Sequence, residues 1–179
     1  MAITTINNRA INRADTAASG ESWTATSATA SDFQASVNTP AFEAYLSADQ
    51  SISDDTWTKV NIDTEVFDSD SKFASYKFTP TVAGKYFIYA SVLIETAGGN
   101  EYNLGQTGLY KNGVLFRTTR LDPNSSHVLA ANVPIQAVVT TDSDDYFELY
   151  AYMDRTSGGT INVKASTQST YFGAYKIIE

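Results

Sequence analysis

The side chains that could carry catalysis are few in this sequence. His127 is its only histidine, and cysteine is absent. A Ser/His/Asp triad could therefore form only through His127, and metal sites built from several histidines or from thiolates are excluded. The sequence also contains no glycine-rich phosphate loop and no nucleophile elbow. We expect no catalytic residue, and a structural or surface role for His127.

Acidic residues are the remaining groups that could do chemistry, and nine of the 20 form four close groups. The groups are Asp54 with Asp55, Asp63 with Glu65, Asp68 with Asp70, and Asp142 with Asp144 and Asp145. Paired carboxylates hydrolyse glycosides when they are held about 5 to 10 Å apart across a cleft, and clustered carboxylates bind calcium. The spacing matches no defined calcium loop and favours solvated turns. We predict no enzyme activity, no metal site and no cofactor, with calcium binding left open.

The composition limits the kind of partner. The formal net charge is −8, from 12 Lys and Arg against 20 Asp and Glu, and the basic residues form no cluster. Such a chain repels the phosphates of nucleic acid. The sequence has no run of about 18 apolar residues, and residues 1–15 lack the apolar stretch of a signal peptide. We expect a protein that is made in a cytoplasm and neither binds nucleic acid nor inserts into a membrane.

The chain divides into two unequal parts. Residues 1–39 are rich in Ala, Ser, Thr and Asp between positions 14 and 35, and such a stretch buries too little apolar surface to fold by itself. One interpretation is a disordered tail. The larger apolar residues are spaced so that each could fill a separate pocket on a partner, and they are Ile3, Ile6, Ile11, Trp23 and Phe33. We therefore predict a particle-docking arm over 1–39 that becomes ordered on binding.

Residues 40–179 carry the signals of an all-β domain. Alternating apolar residues recur there between turn residues, and the eleven Tyr and nine Phe of the chain suit pleated sheets. Residues 85–94 are apolar on both alternations, as in the central strand of a buried sheet. Asn112-Gly113 between two apolar runs predicts a hairpin. The apolar strand over 170–178 should lie inside a sheet, because a free apolar edge would aggregate.

A tyrosine stripe is the candidate binding feature. Alternation over 146–153 places Phe147, Leu149, Ala151 and Met153 on one face of a strand and tyrosines on the other. The stripe, with two tyrosines of the last strand that could join it, comprises Tyr146, Tyr150, Tyr152, Tyr171 and Tyr175. Tyrosine is enriched at protein interfaces. The rings could form a subunit interface, cover one sheet of a monomer, or stack on a sugar.

Several short segments follow one another in a characteristic order. They are residues 40–45, 66–68 with Phe73, 78–80, 84–86, 109–113, 145–149 and 169–173. Over about 40–178 this order resembles the globular head of the complement-subcomponent and tumour-necrosis-factor superfamily. The sequence departs from the family pattern at Ser143-Asp144, in place of Gly-Asp, and at Ala174, in place of an aromatic residue. The resemblance implies an antiparallel jelly-roll sandwich of about ten strands that forms a homotrimer, with the tyrosines near its threefold axis.

The arm adds a second resemblance. Residues 3–13 and 23–29 are similar to the N-termini of tailed-bacteriophage structural proteins that dock onto a particle. Together the two resemblances imply a phage virion structural protein at the virion surface, either a capsid decoration (cement) protein or a head-fibre or tail-fibre component, with other capsid or tail proteins as partners. The alternative is a fibre knob that recognises a receptor or a host-surface glycan through the loops at 98–100, 122–124 and 157–159.

Overall fold

The computed structural model describes most of the chain. The described ranges are residues 21–27, 30–35, 37–97, 102–123, 128–156 and 159–177. Within them the chain is all-β, as predicted, and contains no helix that is long and apolar enough to cross a membrane. Two compact units are distinguished, residues 1–37 and 38–177.

The strands of the described residues fall into one short hairpin and two larger sheets. In chain order they are β1 (Glu21–Ser27), β2 (Ala30–Ala35), β3 (Ala41–Tyr45), β4 (Gln50–Ile52), β5 (Thr58–Lys59), β6 (Thr64–Asp68), β7 (Phe73–Ala74), β8 (Lys77–Phe78), β9 (Gly84–Ala97), β10 (Tyr102–Lys111), β11 (Val114–Leu121), β12 (Ala130–Thr141), β13 (Phe147–Arg155), β14 (Thr160–Val163) and β15 (Tyr171–Lys176).

The first unit contains an antiparallel hairpin of β1 and β2, in which Trp23 and Phe33 are cross-strand partners. The sequence analysis did not predict this pairing. Extended segments leave their backbone donors and acceptors open, and a neighbouring strand satisfies them. Ile3, Ile6 and Ile11 lie outside the described residues.

The second unit, the head, consists of two antiparallel sheets. Sheet I has the strand order β11-β10-β13-β8-β7, with β5 also paired to β13. Sheet II has the order β4-β14-β9-β15-β3-β6, with β12 paired to β9. The predicted jelly-roll sandwich is therefore confirmed. Its described strands outnumber the ten expected, because bridges of two or three residues such as β4, β5, β7 and β8 count separately.

β9 is the central strand of sheet II, as predicted from its apolar residues. It pairs with β12 along its length, and with β15 and β14 on its other side. β12 is one continuous strand of 12 residues, and Pro134 lies within it. Proline is tolerated there because β12 is an edge strand, so a missing donor breaks no central ladder.

The core joins the two sheets through a group of phenylalanines. The ring of Phe42 in sheet II lies 4.7 Å from the ring of Phe73 and 4.6 Å from that of Phe78, both in sheet I, and 5.0 Å from the ring of Phe172. All four side chains are buried. Burying an aromatic side chain of this size stabilises a fold by about 1.5–3 kcal/mol. This group holds the two layers together behind their outer faces.

Two local predictions are confirmed. Asn112 and Gly113 connect β10 to β11, and both have positive φ angles of 54° and 76°. Those angles suit the tight turn that Asn-Gly favours in hairpins. The last strand, β15, lies between β9 and β3 and has no free edge.

Candidate functional site

The five predicted interface tyrosines lie on two different layers. Tyr150 and Tyr152 are on β13 of sheet I, and Tyr146 directly precedes that strand, whereas Tyr171 and Tyr175 are on β15 of sheet II. The predicted alternation of β13 is confirmed, since the four apolar residues on its other face are buried: Phe147, Leu149, Ala151 and Met153. The prediction that the last strand joins the same stripe is wrong. Alternation identifies the two faces of a strand but not the sheet that the strand enters.

The outer face of sheet II carries four neighbouring aromatic rings. The ring of Phe87 lies 5.5 Å from that of Tyr175 and 5.9 Å from that of Tyr89, and Tyr89 lies 6.3 Å from Tyr171. We call these four rings the sheet II face. Val138 of β12, the register partner of Phe87, extends it and is 56% exposed. The sequence analysis missed Phe87 and Tyr89 as surface residues, because both belong to the apolar run of the central strand.

The side chain of Tyr89 lies over Gly173 of the neighbouring strand β15 and bonds to Glu43 of β3. Its register partner on β15 is Gly173, and a Cβ there would lie 2.4 Å from Tyr89 Cζ. The phenol donates a hydrogen bond of 2.8 Å to Glu43 Oε2. Burial, and then this hydrogen bond, raise the pKa of Tyr89 far above its usual range. The Glu43 carboxylate, which adjoins the sheet II face, is therefore paired with a neutral donor, the Tyr89 phenol.

A cleft of about 380 Å³ adjoins the sheet II face along β12. It is lined by Tyr89, Ala90, Thr119, Pro134, Ile135, Gln136 and Tyr171. Because Thr119 belongs to β11, the cleft connects the sheet II face with the edge strand of sheet I. The cleft is large enough for one or two side chains.

The outer face of sheet I carries a second aromatic group. The rings of Tyr110 and Tyr150 are stacked with centroids 3.9 Å apart, and Trp57 lies 6.0 Å from Tyr110 and 5.3 Å from Tyr152. All four side chains are partly exposed. We call these rings the Trp57 cluster. The sequence analysis did not identify Trp57 or Tyr110 as surface aromatic residues. Tyr110 could have been identified, because it alternates on β10 with the apolar Leu109, which is buried.

Charged groups border the Trp57 cluster in pairs. The Tyr152 phenol donates a hydrogen bond to the Asp55 carboxylate, which raises the pKa of Tyr152 to about 12. Lys59 Nζ donates to Glu148 Oε1 at 2.7 Å. The ammonium of Lys77 lies 4.9 Å from the ring centroid of Tyr146.

Most of the acidic residues singled out in the sequence lie in turns or loops, but Glu65 and Asp68 lie on β6, so the prediction of turns is wrong for these two. The Asp63 carboxylate accepts hydrogen bonds from the amide and hydroxyl of Ser47, and Asp68 accepts from the amide of Phe73. Among the residues that the structure describes, no three His, Cys, Asp or Glu side chains are grouped so that they could hold a metal ion. His127, residues 98–100, Asn124 and residues 157–158 lie outside the described residues.

Comparisons with known proteins identify the fold. No family model matches the sequence, and no curated protein sequence matches it. The solved structures that match include Eiger TNF from S. frugiperda, with a TM-score of 0.58 at 9% identity, covering 78% of this chain and 92% of that one. The globular domain of zebrafish complement 1qA protein matches with a TM-score of 0.56 at 16% identity, covering 78% and 98%.

Murine APRIL also matches, with a TM-score of 0.56 at 12% identity, covering 76% of this chain and 98% of that one. These likenesses show the class of fold: the head is a jelly roll of the tumour-necrosis-factor and complement-1q type. The resemblance drawn from the order of sequence segments is confirmed at this level.

Proposed function

We propose that the chain is a non-enzymatic structural protein of a phage particle, which forms a homotrimer through its head and docks by its arm. One observation carries the assembly part, namely the aromatic sheet II face with exposed Val138 beside it. Contiguous apolar surface of this kind marks interaction sites. Tyrosine rings add polar tips that bond across an interface.

A cyclic trimer needs two complementary surfaces on each copy, because its interfaces join different patches of neighbouring subunits. The sheet II face with its cleft is the first surface. The second is β11, the edge strand of sheet I, whose exposed apolar residues are Val114, Leu115, Phe116 and Leu121. An uncovered apolar edge strand invites aggregation, and a neighbouring copy would cover it. β11 reaches the cleft at Thr119, so the two surfaces are neighbours on the head.

The particle part of the proposal is supported by the N-terminal sequence. Residues 3–13 and 23–29 resemble the docking segments of phage structural proteins. Three arms on one trimer bind with avidity, since each docked arm raises the effective concentration of the next. The docking residues would be Ile3, Ile6, Ile11, Trp23 and Phe33, and the partners other capsid or tail proteins. The trimer would assemble in the host cytoplasm and reside on the virion surface.

Charge substitution on the sheet II face tests the trimer. The wild-type chain should sediment at three times its 19.4 kDa mass. Val138→Glu and Tyr175→Glu should each give a monomer, because the new carboxylate would be desolvated at the interface. Val82→Glu places the same charge on an exposed valine before β9 and should leave the trimer intact. A wild-type chain that sediments as a monomer at micromolar concentration would contradict the proposal.

Deletion of residues 1–35 tests the arm. The truncated chain should remain a folded trimer and should be absent from particles assembled in its presence. The readout is the amount of the variant in purified particles relative to the full-length chain. Equal incorporation of the two chains would exclude a docking role for the arm.

A further inference from the structure

The Trp57 cluster lies on the outer face of sheet I, the layer opposite the sheet II face. Trp57 comes from the segment between β4 and β5 and reaches across to β10. It lies over Gly108, where a Cβ would be 2.7 Å from Trp57 Cζ3. Glycine inside a strand weakens the strand, and one of its uses is to let another group approach the backbone closely. The glycine at 108 allows the indole to lie against the sheet.

The charged groups around the cluster are paired with one another or with a phenol. Asp55 is held at one end by the Tyr152 phenol, and Gln106 is the register partner of Tyr152 on β10. The cation Lys59 is paired with Glu148, and Arg155 lies 3.5 Å from Asp54. The cluster therefore combines aromatic surface with several hydrogen-bonding groups, and the two cations named here, Lys59 and Arg155, are each paired with a carboxylate.

We propose that the Trp57 cluster binds a neutral saccharide. Aromatic surface with a few fixed polar groups is the usual composition of small-ligand sites, and a pyranose presents an apolar C–H face with hydroxyls at its rim. The paired charges and the net charge of −8 disfavour phosphates and polyanions.

In this arrangement the sugar ring stacks on Trp57 and its hydroxyls bond to the groups at the rim. The Asp55 oxygen that Tyr152 leaves free can accept a hydrogen bond from a sugar hydroxyl, and the Gln106 amide can donate and accept hydrogen bonds. The inference does not depend on the trimer or on the particle. It differs from the receptor loops predicted at 98–100, 122–124 and 157–159, because it places the ligand on a sheet face.

Tryptophan fluorescence of the full-length chain tests the proposal. The sequence has two tryptophans, so Trp23→Phe leaves Trp57 as the only reporter. The probes are neutral hexasaccharides of glucose, galactose, mannose and N-acetylglucosamine, with polygalacturonate as a charged comparison. At least one neutral probe should shift the Trp57 emission saturably. Absence of binding by all four neutral probes up to 10 mM, or binding of polygalacturonate alone, overturns the proposal.

Substitutions distinguish saccharide binding at the Trp57 cluster from binding elsewhere on the surface. By calorimetric titration, Trp57→Ala and Gly108→Ala should each lower the affinity at least tenfold, the second by displacing the indole. Asp55→Asn should lower it less and should remove one hydrogen bond only. Phe67→Ala removes an exposed ring from sheet II and should bind as the wild type does. Circular dichroism checks the folding of each variant, and unchanged affinity in a folded Trp57→Ala chain also overturns the proposal.

Discussion

Two glycines decide how aromatic side chains lie on the outer faces of the head. Gly173 accommodates Tyr89 in sheet II, and Gly108 accommodates Trp57 in sheet I. In both places the ring occupies the space that a side chain on the neighbouring strand would fill. The flat aromatic surface of each sheet thus depends on a residue that has no side chain of its own.

Gly173→Ala should destabilise the head by about 1–3 kcal/mol, because the added methyl group displaces the Tyr89 ring and its hydrogen bond to Glu43. In a Tyr89→Ala background the same change should cost nothing or stabilise, since alanine suits a strand interior better than glycine. Urea unfolding of the four chains of this cycle measures both effects. Equal destabilisation in the two backgrounds would show that the Tyr89 ring is not the obstacle.

Hydrogen bonds connect two turns at one end of strands β10 and β13. The hairpin turn of β10 and β11 contacts the acidic turn between β12 and β13. Asn112 Nδ2 donates to Asp145 Oδ1 at 2.7 Å, and the amide of Tyr146 donates to Asn112 Oδ1 at 2.9 Å. Lys111 Nζ lies 2.7 Å from Asp145 Oδ2, which also accepts from the amide of Asp142. Asn112 therefore forms part of the turn between β10 and β11 and also bonds to the turn that precedes β13.

The Asp145 contacts predict an acid-dependent loss of stability. Burial raises the pKa of Asp145, but hydrogen bonds from Lys111, the Asp142 amide and Asn112 outweigh it, so that the pKa lies below its usual value. A carboxyl with a lowered pKa stabilises the fold above its unfolded pKa of about 3.9, and this contribution disappears as the pH falls through the folded pKa.

Asp145→Asn should therefore lower the free energy of unfolding by about 1.5–3 kcal/mol at pH 7, and the difference from wild type should shrink below about pH 4. Asp144→Asn, at an exposed position in the same turn, should change little at either pH. Denaturant unfolding at pH 7 and pH 3 measures both variants. A difference that stays constant with pH would contradict the role given to the charge.

At the scale of the whole molecule, the net charge opposes assembly. Each copy carries −8, so three copies carry 3 × −8 = −24. Like charges repel over the Debye length, which falls from about 30 Å at 0.01 M salt to about 8 Å at 0.15 M. For a trimer to form, burial of the apolar surfaces of the sheet II face and β11 must contribute more free energy than this repulsion costs.

Added salt should therefore tighten the trimer. The concentration for half-dissociation should fall several-fold between about 0.01 M and 0.15 M sodium chloride, because screening removes repulsion while apolar contacts persist. Sedimentation velocity over a dilution series at each salt concentration gives the measurement. Weaker association in higher salt would indicate an interface held by ion pairs instead of apolar contacts.

Neighbouring residues were enough to predict the local features of this chain. The alternation of β13, the Asn112-Gly113 hairpin, the central β9 and the acidic turn before β13 were all predicted, because strand periodicity and turn preferences act over a few residues. The sheet that each strand joins could not be predicted from the sequence. The tertiary structure separated Tyr150 from Tyr171 and brought Trp57 onto Gly108, since pairing between distant strands depends on the packing of the whole core and leaves no local pattern.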